Sequence, residues 1–141
     1  MTVLKRQSDK IEVLSGVPLF AGLSKRELTG LARRVRETEF VPGEHILLDG
    51  EAADECFVLL DGKATVRRNG KKIAEVAKGD VVGEMSLVTD LRRSAGVRAD
   101  TFVPALRIGR SDFTAIMDEY PQVAVKVLKT IADRLVMNSS G

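Results

Sequence analysis

Between residues 40 and 109 the chain is cut into short apolar or alternating runs by five glycines, each set in a polar turn. They fall in Phe40-Val-Pro-Gly-Glu44, Leu48-Asp-Gly-Glu51, Leu60-Asp-Gly-Lys63, Arg68-Asn-Gly-Lys71 and Ala77-Lys-Gly-Asp80. A long helix does not fit such punctuation, because glycine lowers helix stability by about 1 kcal/mol relative to alanine and frees the backbone to turn. Many short strands joined by tight turns are what remains, the pattern of a β-sandwich or barrel. Asn69-Gly70 predicts the clearest hairpin, since both central residues of the favoured two-residue turn need positive φ.

The apolar period changes on either side. Before residue 40, Ile11, Val13, Leu14 and Val17 lead into Pro18-Leu19-Phe20. Ser24 with Glu27 three residues on is a capping-box pattern. Leu28, Leu31, Ala32 and Val35 then recur at helical spacing. After residue 109 the sequence is helical again from Ser111, and Pro121 is expected to open a last helix with Val123, Val127, Leu128, Ile131 and Leu135 on one face. At 141 residues and 44% apolar content the chain suits one domain with one core. The expected division is a helical lead-in over 1–39, strands over 40–109 and two helices over 110–137.

Composition removes several function classes. The 22 basic and 20 acidic residues leave a formal charge of +2 with no long basic block, so neither nucleic acid nor a membrane surface is an expected partner. The N-terminus is too polar for a secretory signal, and no apolar run reaches the roughly 18 residues of a membrane span. A cytoplasmic location follows as the expectation. Cys56, the one cysteine, sits in a strand-like Glu-Cys-Phe-Val-Leu-Leu run and reads as a buried structural thiol. His45 is the one histidine, whereas metal-dependent barrels need several ligands converging on one ion. No nucleophile–base pair and no metal cluster is visible, so neither catalysis nor a metal or other cofactor is expected.

One segment departs from the barrel pattern. Gly83-Glu-Met-Ser-Leu-Val-Thr-Asp-Leu-Arg-Arg-Ser-Ala-Gly-Val97 places a carboxylate, two arginines and two serines between runs that read as buried strand. A short helical turn there would present unpaired backbone N–H groups to an anion, and the Arg93 guanidinium suits two oxygens of one phosphate. Glu84 fits beside a phosphate only by pointing to another part of the same ligand, such as sugar hydroxyls. No G-x-x-x-x-G-K-[ST] sequence occurs, so a nucleotide of low charge is favoured over a triphosphate.

Gly83-Glu84-Met85-Ser86-Leu87 followed by Arg93-Ser94-Ala95 and Val97 resembles the phosphate-binding cassette of cyclic nucleotide-binding domains. This family includes the bacterial catabolite activator, kinase regulatory subunits and cyclic-nucleotide-gated channels. The resemblance extends through Val17-Pro18-Leu19-Phe20, Gly43-Glu44, Gly50-Glu51, Phe57-Val58-Leu59 with Gly62, and Asp112-Phe113 with Pro121. It implies a mostly β fold with flanking helices, a double-stranded β-helix or jelly-roll barrel, with the cassette at 83–97. It also implies a non-catalytic sensor for cAMP, with cGMP the alternative ligand, that signals by repositioning its C-terminal helix onto the nucleotide.

By the same resemblance, Glu84 binds the ribose 2′-hydroxyl and Arg93 the cyclic phosphate. Gly83 permits the turn, Met85 and Ala95 line the site, and Ser86 and Ser94 offer backbone N–H groups. Arg134 on the last helix is the expected cap over the base. Three positions differ from common members: Leu91-Arg92 replaces a small residue and proline, Gly96 replaces a threonine near the base, and Val82 replaces a phenylalanine. A barrel without nucleotide that serves as a protein-interaction module is the other reading. DNA-binding relatives continue into a helix-turn-helix, for which no room is expected before Gly141. The effector is therefore expected on a partner protein or in a longer chain, and the assemblies compatible with this include a homodimer.

Overall fold

A computed structural model describes residues 7–52, 54–84, 87 and 95–140, with side chains for these except 7, 8, 130, 131 and 134–140. The lead-in comprises α1 (Gln7–Ser15), a 3-10 turn (Pro18–Phe20) and α2 (Lys25–Ala32). Among the described residues eight strands follow: β1 (Arg36–Phe40), β2 (His45–Leu47), β3 (Glu55–Leu59), β4 (Lys63–Arg68), β5 (Lys71–Ala77), β6 (Val81–Val82), β7 (Gly96–Ala99) and β8 (Val103–Gly109). Helices α3 (Arg110–Glu119) and α4 (Pro121–Ser140) close the chain. The strands form two antiparallel four-stranded sheets, ordered β1-β8-β3-β6 and β2-β7-β4-β5. This is the expected jelly roll, with its two sheets facing one another rather than joined into a closed ladder.

The two sheets differ in what covers them, and the sequence carries the difference. In β3, Phe57 and Leu59 point into the barrel, while Cys56 and Val58 pack with the helices. Both faces are covered, so the run from Cys56 to Leu60 is apolar throughout, where a half-exposed strand would alternate. The thiol is fully buried on the helical face. In β4, by contrast, Ala64 and Val66 face the barrel core while Arg67 is exposed. Phe40 and Phe57 meet edge to face at 5.3 Å and 84° inside the barrel, a contact that contributes about 1 kcal/mol beyond burial.

All five turn glycines have positive φ, from 78° to 90°. Asn69 (φ 53°) and Gly70 (φ 78°) make the predicted hairpin between β4 and β5. The boundaries of the helices shift slightly from expectation. Val35 lies beyond α2 but is still buried, and α3 starts at Arg110 behind Gly109. On α4, Val123 and Val127 are buried as predicted, but Leu128 is exposed.

The capping box forms as read. Ser24 N–H donates to Glu27 Oε1 at 2.9 Å and Glu27 N–H to Ser24 Oγ at 3.1 Å. The Ser24 backbone N–H holds the Glu27 carboxyl below its ordinary value, so this bond is present at neutral pH and is lost as pH falls through that lowered pKa. Ser24→Ala is expected to destabilise the fold by about 1 kcal/mol, read as a lower urea midpoint at unchanged slope. At the other end of α2, Lys10 Nζ donates to Ala32 O at 3.1 Å and Val35 O at 2.9 Å. It thereby brings a cation to carbonyls that the helix end leaves open.

Candidate functional site

Strand β6 is only two residues long, and the chain leaves it through Gly83 at φ 91°. That left-handed backbone is disfavoured for residues with a Cβ, and it sends the chain out of the sheet immediately before Glu84. Glu84 is 5% exposed and is the one buried carboxylate among the described residues. Burying a carboxylate is costly unless the fold or a ligand compensates its charge and hydrogen-bonding demand.

Leu87 is also buried, and it belongs to the helical core with Ile116, Tyr120, Val123 and Val127. Its carbonyl accepts a hydrogen bond from Arg110 Nη1 at 2.9 Å. Arg110 opens α3, so one guanidinium ties the segment after Glu84 to the C-terminal helices. Sequence spacing gave no sign of this role, because the contact spans 23 residues and depends on the packing of α3 against β8.

The chain returns at the half-buried Ala95 and enters β7, where Val97 and Ala99 face the barrel core. Strand alternation puts Gly96 and Arg98 on the opposite, outer face. Gly96, which stands where relatives commonly have a threonine, lies on the outer face. A Cβ there would approach Leu47 O at 3.4 Å, at the irregular β2–β7 register. Of the site residues read from the sequence, Gly83 and Glu84 directly follow β6 and Ala95 directly precedes β7. Met85, Ser86, Arg93 and Ser94 lie outside the described residues. Arg134 is on α4, with its side chain outside them as well.

A cavity of about 340 Å³ adjoins Glu84 on the helical side. It is bounded by Val17, Pro18 and Leu19, by Gly79, Asp80 and Val81, and by Lys126, Val127 and Lys129 of α4. Polar contacts hold the helices around it. Lys126 Nζ donates to Ala21 O beside the 3-10 turn. Arg34, just beyond α2, pairs with Glu119 of α3 and lies 3.6 Å from Asp112.

Tyr120, between α3 and α4, packs over α2 so closely that a Cβ on Gly30 would lie 2.6 Å from its hydroxyl. Burial, followed by the nearby Glu119 charge, pushes this phenol above its ordinary pKa. Among the described residues no cluster of His, Cys, Asp and Glu is placed to hold a metal, and no helix is long and apolar enough to cross a membrane.

A jelly roll with a helical layer on one sheet, interrupted between β6 and β7 by a glycine turn and a buried carboxylate, defines a ligand-binding β-roll domain. Residues 37–120 match the cyclic nucleotide-binding domain family, and the chain belongs to that family. It is 30% identical over 125 residues to potassium/sodium hyperpolarization-activated cyclic nucleotide-gated channel 4 of Homo sapiens, covering 88% of this chain and 10% of the channel.

Among solved structures it resembles cAMP-bound PfPKA-R (141-441), with a TM-score of 0.83 at 25% identity, covering 96% of this chain and 47% of the other. It also resembles the regulatory subunit of a cAMP-independent protein kinase A from Trypanosoma cruzi bound to guanosine. There the TM-score is 0.78 at 27% identity, covering 94% and 50%. The chain thus spans a tenth of the channel and about half of each solved chain.

Proposed function

We propose that the chain is a non-catalytic cAMP sensor in which Glu84 takes the ribose 2′-hydroxyl and Arg93 the cyclic phosphate. The observation that carries this reading is the burial of Glu84 directly behind the left-handed Gly83, in a family whose members are regulatory modules. Backbone N–H groups at Ser86 and Ser94 complete the phosphate cradle. Met85 and Ala95 lie against the ligand, and Arg134 closes over the base.

Nucleotide draws the segment after Glu84 inward and carries Leu87 with it. Leu87 packs against α3 and α4 and its carbonyl is held by Arg110, so the shift reaches the helices and repacks α4. The cavity beside Glu84 supplies room for that movement. In mechanism this is a population shift, whose size equals the ligand's differential affinity for the two arrangements. The effector is reached through α4, on a partner or elsewhere in a longer cytoplasmic protein.

Isothermal titration with cAMP, cGMP, 5′-AMP and guanosine tests the reading. Saturable cAMP binding, tighter than the other three, is the expected result. Tighter cGMP binding would change the base assignment, and preference for guanosine would remove the cyclic phosphate from the mechanism. Absence of binding to all four, with no thermal shift, would favour the interaction module. A ligand at 100 times its dissociation constant adds about 2.7 kcal/mol to the native state, too large a shift to miss.

A further inference from the structure

The outer face of the β2-β7-β4-β5 sheet carries a second, smaller concavity of about 180 Å³, lined by His45, Thr65, Arg67, Gly96 and Arg98. The cross-strand pairs His45↔Arg98, Thr65↔Arg98 and Arg67↔Gly96 place these residues on three adjacent strands. Val66, Val97 and Ala99 point the other way, into the barrel core. The hollow is therefore on the opposite face of this sheet from the barrel core. Gly96 adds no side chain to its floor.

Arg98 is fixed in place, with Nε donating to Gly43 O at 2.8 Å. Neither Arg67 nor Arg98 makes an ion pair among the described residues, and no carboxylate lines the hollow. The nearby acids each have another partner, Asp100 at the edge of the hollow itself. Glu44 Oε1 accepts from Val41 N–H at 3.0 Å, Asp100 Oδ2 from the Thr65 hydroxyl at 2.6 Å, and Glu75 pairs with Lys72 at 3.0 Å. Two uncompensated guanidiniums and an imidazole facing one small hollow match a compact dianion with several oxygens. The volume suits one such group with a short stem.

We propose that this outer hollow is a binding site for a phosphomonoester group, held by Arg67 and Arg98 with His45 at its edge. Its source is either a free phosphate compound or a phosphorylated side chain of a partner protein, and the chemistry recognised is the same. His45 is the one histidine in the chain, so its ring signals report on the site without ambiguity.

The test is an NMR titration of the full chain at pH 7 and constant ionic strength, following the His45 ring, with inorganic phosphate and separately with O-phosphoserine. Saturable shifts are expected for both, weakened about tenfold in Arg67→Gln and again in Arg98→Gln, as for loss of one charged hydrogen-bonding partner. Arg67→Gln leaves the Arg98–Gly43 bond untouched, so its effect does not depend on local unfolding. Tighter binding of O-phosphoserine than of phosphate assigns the source to a phosphorylated partner, and the reverse order to a free compound. A non-saturating response, unchanged affinity in both variants, or displacement of phosphate by saturating cAMP would overturn the proposal.

Discussion

Arg93→Ala is expected to weaken cAMP binding at least about 30-fold while leaving the unfolding midpoint of the free protein unchanged. Removing one partner of a desolvated charge pair costs at least about 2 kcal/mol, and 1.4 kcal/mol is a factor of ten in affinity. Arg93→Lys should fall between the two proteins, because an ammonium keeps the charge but cannot present two parallel N–H donors to one phosphate. Titration of all three with cAMP decides the assignment: near-wild-type affinity in the alanine variant removes Arg93 from the site. Glu84→Gln separates recognition from folding in the same way. A folded protein with weak cAMP binding supports the ribose role, whereas loss of the fold would mean that the buried carboxylate is structural.

The second large effect is expected at Gly62, where β3 turns toward β4. Its φ is 80°, and a Cβ would run into Phe102 O while lying 2.7 Å from Thr101 Oγ1 and 3.0 Å from Val103 Cγ2. Val103 is fully buried, and Thr101 Oγ1 already accepts from Lys63 N–H at 3.0 Å, so the neighbours have little freedom to retreat.

Left-handed backbone alone costs a residue with a Cβ about 1–2 kcal/mol. The clash should bring Gly62→Ala to at least about 3 kcal/mol, a large share of the roughly 5–15 kcal/mol that holds a domain together. Gly70→Ala is the matched control, since Gly70 has φ 78° and a Cβ there would meet nothing within 4 Å. It should lose only the backbone part. Equal urea midpoints for the two variants would contradict the close approach at Gly62.

How far the fold was readable depended on whether its cause was local. The turns, the Asn69-Gly70 hairpin and the Ser24–Glu27 capping box depend on residues a few positions apart, and all are present. Strand β1 begins at Arg36, inside the stretch read as lead-in, because Arg36-Glu-Thr-Glu-Phe40 buries only Phe40 and shows no apolar alternation. Leu128 fits the helical stripe by spacing but is exposed, since nothing in the pattern tells how wide the covered face of α4 is.

At the site, Gly83-Glu84 was legible as a motif, whereas the burial of Glu84 comes from the structure. The bond from Arg110 to Leu87, the fit of Tyr120 over Gly30 and the pairing of Arg34 with Glu119 join segments 23 to 90 residues apart. Such contacts leave no periodic trace.

The division of the apolar interior into two clusters determines what would have to rearrange under the proposed shift of α4. Val81 packs with the helices and the adjacent Val82 with the barrel, so one peptide unit marks a seam between two bodies. Motion along that seam exchanges side-chain contacts on one face of β3, β6 and β8 and breaks no rung of either sheet. Such sliding belongs to the microsecond-to-millisecond range of packed elements rather than to the slower scale of local unfolding. Under the proposed mechanism the barrel is then the fixed anvil, and each switching event would leave both sheets intact.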